Sequence, residues 1–209
     1  MKESEPPPPP HNDPPAPEDG SRGGSWLAIY FGRMRGGSPR TVTRRGLSVI
    51  IFAWCAAFLG IYLISIPSLL PSWPLSAKLF LIGSFGASAA LLYAAPRSPF
   101  AQPRHLILGQ LIAAFIGVSA YKLVGSHLGV ASALAVATTI VIMQLTDAVH
   151  PPAGATALIA VLGPAKVHQL GYQFVLFPVL IGALMLLLVA VLVNNLSPDT
   201  DRHYPLTWW

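Results

Sequence analysis

The sequence predicts an all-α, polytopic membrane helix bundle, and three observations carry that expectation. Apolar residues make up 53% of the 209 residues and charged residues only 10%, with a mean hydropathy of +0.58, which is more apolar material than one soluble core requires. The apolar residues fall in runs of 17 to 23, divided by basic or proline-containing breaks. That length crosses ~30 Å of hydrocarbon as helix. A third feature is Asp147–Pro164, where a carboxylate, an imidazole and two prolines interrupt apolar sequence. Ionisable groups at membrane depth are costly enough to mark function.

Residues 1–24 are proline-rich with no large aliphatic residue after Met1, so they cannot bury enough surface to fold and are expected to form a disordered tail. They show neither the apolar core of a signal peptide nor the Arg/Ser-rich amphipathic start of a transit sequence. Residues 25–45 combine Trp26, Tyr30 and Phe31 with five arginines, a composition suited to the headgroup region. Gly46–Ile66 supplies 21 uncharged residues for a first span, which ends at the Pro67–Pro74 loop. The 18 residues between Lys78 and Arg97 make a second span, rich in Gly, Ala and Ser. His105–Tyr121 and Leu128–Thr146 are the third and fourth. Asp147–Pro164 is the fifth, its helix opened by Pro151 and Pro152, which lack an N–H that the first turn leaves unpartnered anyway. Phe174–Leu196 completes a six-span domain over 46–196, followed by a C-terminal tail, 197–209, whose Trp208 and Trp209 suit the interface.

The net charge of +5 is a topology signal rather than a nucleic-acid footprint, because seven of the thirteen Lys and Arg residues precede Gly46. Six crossings with the N-terminus inside put ten of the thirteen on the cytoplasmic side, against Lys78, Lys122 and Lys166 outside. The expected location is the cell (inner) membrane with both termini cytoplasmic. Cys55 is the single cysteine, so no intramolecular disulfide exists. No His/Cys pattern has zinc-ligand spacing, and no phosphate loop, nucleotide fingerprint or nucleophile elbow occurs, so metal, cofactor and enzyme readings have no support.

Two stretches repeat. Gly86-Ala-Ser-Ala and Gly154-Ala-Thr-Ala are each followed by six residues and then proline, at an offset of 68 residues. Each lies in the middle span of three, so the halves would be related by inversion, with interrupted helices meeting at the midplane. The alternative is that small-residue spans resemble one another because Gly, Ala and Ser let membrane helices pack closely. On the first reading Ser84, Gly86, Ala87 and Ser88 face Gly154, Ala155 and Thr156 across one polar pocket, and two helix N-termini offer N–H groups to an anion. His150, with Asp147, is the candidate gate or proton partner, and Gln102 and Arg104 the candidate entrance.

Gly83–His105 (GSFGASAALLYAAPRSPFAQPRH) and Met143–Pro164 (MQLTDAVHPPAGATALIAVLGP) closely resemble the HPP family of integral membrane proteins, named after the tripeptide present here as His150-Pro151-Pro152. The resemblance covers about Leu47–Leu196. Descriptions of that family usually count four spans, from which six departs. Asn often follows the first motif's Pro-Arg and a His often occurs early in the third span; here those places hold His105 and Gln110. Plastid and cyanobacterial relatives are associated with nitrite transport, so the resemblance implies a carrier or channel for a small inorganic anion such as nitrite, working in the lipid bilayer, with a homo-oligomer, preferably a dimer, as the expected assembly. The competing reading is a membrane sensor or assembly module without transport. An intramembrane enzyme using Asp147 and His150 is weaker, because no nucleophile is spaced with them.

The topology has a direct test. Cysteines introduced at Ser38 and Ser98 should be protected from an impermeant thiol reagent added outside intact cells, and one at Gln169 should react; labelling at Ser98 would overturn the six-span arrangement.

Overall fold

The computed structural model describes residues 46–69 and 82–209. The expected tail 1–24, the segment 25–45 and most of the first inter-span loop lie outside these residues. The described chain contains seven α-helices: α1 (Leu47–Leu69), α2 (Gly83–Ala94), α3 (Pro103–Val124), α4 (Leu128–Leu145), α5 (Ala153–Leu162), α6 (Ala165–Leu170) and α7 (Ile181–Asn194). A 3-10 turn, Pro99–Ala101, precedes α3, and a π-helical segment, Val175–Leu180, leads into α7.

Among the described residues, four helices are long and apolar enough to cross a membrane: α1, α3, α4, and α7 together with its π segment. The other two expected spans are short. α2 has 12 residues and α5 has 10, which reach only ~18 and ~15 Å at 1.5 Å per residue, about half the hydrocarbon thickness. Prolines set these limits: α2 stops just before Pro96, and α5 runs only from the Pro151-Pro152 turn to Gly163-Pro164. The third span is longer than expected, 22 residues rather than 17, because Pro103 serves as a first helical residue and Arg104 and Lys122 are carried inside the helix near its ends. The last span bends where Phe177 leaves helical geometry (φ −129°, ψ 113°), the residue before Pro178 being driven out of the α region.

α3 is the central element. One buried cluster, built from α1, α2, α7 and their neighbours, centres on Phe85, Leu92, Tyr93, Phe174 and Leu186. A second joins α3, α4 and α5 almost wholly through small side chains: Ala113, Ala120, Ala131, Ala135, Ala153 and Ala157. Between helices in lipid, where no hydrophobic drive remains, such residues allow the close approach that supplies contact energy. Gly117 shows how close: a Cβ there would lie 2.6 Å from the Ala157 carbonyl oxygen. Many other large apolar side chains point outward, with Trp54, Phe58 and Tyr62 stacked along an exposed face of α1 at centroid spacings of 5.4 and 5.9 Å.

The segment after α7 is not a loose tail. Arg202 is fully buried and donates to the Tyr93 carbonyl at 3.0 Å and to Asn194 Oδ1 at 2.8 Å, while Asn194 in turn donates to the Leu92 carbonyl at 3.1 Å. The guanidinium and the Asn194 amide thus cap the Tyr93 and Leu92 carbonyls at the C-terminal end of α2, which the short helix leaves without amide partners. Tyr204, also buried, donates to the Ala101 carbonyl at 2.8 Å; burial raises the pKa of its phenol, so it stays a donor. Gln102 accepts from the Leu206 N–H at 2.8 Å, and Arg97 pairs with Asp201 at 2.9 Å on the exposed rim.

Replacing Arg202 with Leu should therefore lower the melting temperature of the detergent-solubilised protein, since each orphaned buried acceptor costs about 1–3 kcal/mol. Asp201→Asn, which breaks only the exposed pair, should melt close to wild type. Equal melting of the two variants would show that the buried guanidinium does not hold the end of the bundle.

Candidate functional site

The polar residues of α2, α3 and α5 meet inside the bundle, where the apolar environment leaves them only one another as partners. Ser84, Ser88, Gln110, His150 and Thr156 are all fully buried. Thr156 Oγ1 lies 2.7 Å from Ser84 Oγ and 2.5 Å from Gln110 Oε1. Gln110 Nε2 donates to Ser88 Oγ at 3.0 Å, and Ser88 Oγ lies 2.9 Å from His150 Nε2. The other imidazole nitrogen, Nδ1, is 2.9 Å from the Phe100 carbonyl. Five side chains from three helices and one loop form a continuous line of hydrogen bonds with no carboxylate, lysine or arginine in it.

The loop that carries His150 is held from both sides. At the end of α4, Asp147 adopts a positive φ of 48°, the Ala148 N–H reaches back to the Met143 carbonyl at 2.9 Å and the Asp147 N–H to Gln144 at 3.3 Å. This pair of bonds is a Schellman closure, in which Asp147 occupies the left-handed position that Gly or Asn usually takes. From α3, Arg104 donates to the Thr146 carbonyl at 2.7 Å and His105 Nδ1 to the Val149 carbonyl at 2.9 Å. One turn further along α3, Gly109 leaves the space in which the loop sits: a Cβ there would lie 2.6 Å from His150 Cβ and 2.9 Å from the Ala148 oxygen.

The expected site residues divide accordingly. Ser84, Ser88, His150 and Thr156 come together. Gly86 and Ala87 lie on the exposed side of α2, Gly154 and Ala155 are half-buried, and beyond the local helix backbone and chain neighbours nothing stands within 4 Å of a Cβ placed on Gly86 or Gly154. Asp147 is exposed and outside the network, its part in the structure being the turn. Gln102 is buried rather than lining an entrance: its Nε2 donates to the Pro96 and Ser98 carbonyls at 3.0 and 2.8 Å. Arg104 is half-buried, clamps Thr146 and lies 5.6 Å from the ring of Trp209. The expected free N–H groups at the start of α5 are also occupied. Pro151 and Pro152 have none to offer, and Ala153, Gly154 and Ala155 donate to the carbonyls of His150, Pro151 and Pro152 at 2.8, 3.2 and 3.1 Å. Side-chain donors therefore take the place of backbone ones here. Among the other histidines, His127 is exposed, whereas His105 bonds the Val149 carbonyl and His168 bonds Val161 at 3.1 Å while stacking on Tyr121.

Gln110 is the member that sequence reasoning left outside the site. Its signal was present, since it is the one amide in an apolar third span, but only the fold shows that its two ends reach Ser88 and Thr156.

The glycine and the aspartate separate by mutation. Gly109→Val should displace His150 and destabilise the fold, lowering the melting temperature by several degrees, as overpacking of this kind costs about 1–3 kcal/mol. Asp147→Gly should melt at or above the wild-type temperature, because glycine suits the left-handed position better. A marked loss of stability in Asp147→Gly would show that the carboxylate has a structural partner.

Two transmembrane proteins of Dictyostelium discoideum are similar to this chain, one 40% identical over 188 residues and the other 39% identical over 183. The alignments cover 88% and 86% of this chain but only 65% and 57% of those proteins, so the chain spans roughly three-fifths of the length of the curated relatives it matches. No solved structure matches. The model of the HPP transmembrane-region family matches residues 42–205, a range that takes in both motifs, the seven described helices and the strap that follows α7, as far as Pro205. On that match, with the apolar helices that carry it, the chain is an integral membrane protein and belongs to the HPP transmembrane-region family.

Proposed function

We propose that this protein carries a small monovalent anion, with nitrite the first candidate, across the membrane without ATP hydrolysis, through the site where α2 and α5 begin. The observation that carries the reading is the buried line of neutral donors, Ser84, Ser88, Gln110, Thr156 and His150, in a bundle whose outer surface is apolar. Hydroxyls and an amide suit a weakly basic anion that must also leave, whereas a fixed buried cation would retain it. The half-length of α2 and α5 supports the same view, since broken helices at membrane depth occur where they line a polar cavity.

The inverted repeat belongs to this proposal. Exchanging α1 with α4, α2 with α5 and α3 with α7 maps the principal helix contacts onto themselves: α1–α2 onto α4–α5, α1–α7 onto α3–α4, and α2–α7 onto α3–α5, while α2–α5 and α3–α7 map onto themselves. Ser88 and Thr156, equivalent at the offset of 68, bond opposite ends of the same Gln110 amide. The proposal includes six membrane segments with both termini cytoplasmic, two of them the short helices. The second reading, a sensor or assembly module, draws on the fact that the hydroxyls satisfy one another directly.

Purified protein in liposomes distinguishes them. Nitrite uptake above protein-free vesicles supports transport, and its absence for every small anion tried overturns it. Thr156→Val keeps shape and removes the hydroxyl; a neutral hydrogen bond is worth ~0.5–1.5 kcal/mol, so the half-saturating anion concentration should rise several-fold, while the Gln110 Oε1 left without its donor also lowers the melting temperature by a few degrees.

A further inference from the structure

We propose that the anion enters this site together with one proton, which binds His150 at Nε2, so that transport is an electroneutral anion–proton symport. The inference rests on the transport reading above and deepens it. Two observations carry it: the direction of the hydrogen bonds and the charge of the site.

The direction follows from the one group in the line that can only accept. The Phe100 carbonyl accepts from His150, so Nδ1 holds the proton of the neutral imidazole and Nε2 presents a lone pair. Ser88 must then donate its hydroxyl proton to Nε2, and it accepts from Gln110 Nε2. Gln110 Oε1 accepts from Thr156, whose single proton is thereby placed, so Ser84 is the donor in the Ser84–Thr156 bond. Reversing the Gln110 amide would draw the Ser88 proton away from the imidazole and leave two lone pairs facing each other. In the neutral state every hydroxyl proton therefore points along the chain towards His150, and an anion meets no free hydroxyl donor.

A proton added at Nε2 reverses the last link. Nε2–H now donates to Ser88 Oγ, whose two lone pairs accept from His150 and Gln110, and the Ser88 hydroxyl proton is released to the anion. Gln110 Nε2 has a second N–H for the same ligand. No covalent bond changes; one proton arrives and one hydroxyl rotates.

The charge argument is independent of these orientations. None of the five network side chains carries a fixed charge, and a lone ion away from water costs several kcal/mol, whichever its sign. Proton and anion together leave the site neutral. The ionisable groups on the surrounding elements do not substitute for that proton: His105 bonds Val149, Arg104 bonds Thr146, Tyr204 bonds Ala101, and Asp147 is exposed. Among the described residues no carboxylate bonds the imidazole.

The test uses the full chain in liposomes, with nitrite as the probe and the flux of protein-free vesicles subtracted, because nitrous acid itself crosses lipid. Membrane potential is set by potassium and valinomycin, and the pH gradient is varied separately. Symport predicts that an acid-outside gradient raises initial uptake several-fold and that an imposed potential of either sign leaves it unchanged. Uptake driven by an inside-positive potential and indifferent to the pH gradient would show the anion moving alone, overturning the symport while leaving transport intact. Absence of protein-dependent flux for any small anion would instead remove the transport reading, and this proposal with it. His150→Gln should lose the stimulation by the pH gradient, and Ser88→Ala should keep it while the half-saturating concentration rises several-fold. Full stimulation in His150→Gln would place the proton elsewhere and overturn the assignment. If that variant does not fold, the wild-type response to potential still decides whether a proton accompanies the anion, and His150→Asn takes its place in testing the proton site.

Discussion

The amide of Gln110 is the interaction on which the interior depends. It donates from one end to Ser88 on α2 and accepts at the other from Thr156 on α5, so a single planar group fixes the separation and rotation of two short helices about α3. Neither helix is long enough to be positioned by the bilayer. Inside hydrocarbon each polar atom must find a protein partner, and a network in which every member is satisfied holds one arrangement strongly. The same satisfaction makes it switchable, because moving one proton obliges its neighbours to reorient.

Around that centre the chain is tied by backbone carbonyls that short helices and prolines leave exposed. The turn at Pro99–Ala101 receives two donors on adjacent residues: His150 on Phe100 from the site, and Tyr204 on Ala101 from the C-terminal strap. Arg202 closes the end of α2 in the same manner, and Arg104 and His105 close the loop before His150. The strap and the site therefore share one short turn as their common support.

Glycine and alanine decide how near these elements come. Gly109 makes room for His150, and Gly117 sets α3 directly on the backbone of α5. Small residues at these contacts trade side-chain volume for proximity, and proximity brings hydroxyls of different helices within hydrogen-bond distance. The apolar bulk is on the outside, where lipid rather than a core receives it.

The sequence by itself determined the membrane environment, the helical class and the places where helices break, because hydropathy runs and prolines act locally; of the six spans it predicted, four coincide with long apolar helices and two with short ones. It also marked Ser84, Ser88, His150 and Thr156 as candidates, since polar residues within apolar runs stand out one by one. It placed Asp147, Gln102 and Arg104 in functional roles on residue type alone, where the fold uses them to close a turn and hold loops. The tertiary structure decided which polar residues meet: Ser88 and His150 are 62 positions apart, Ser84 and Thr156 are 72 apart, and Arg202 reaches a carbonyl 109 positions away. It also settled that the first amides of α5 are already bonded and that Gln110 is the bridge. Such pairings depend on the rotation and depth of separate helices, which close packing sets and local residue pattern does not encode.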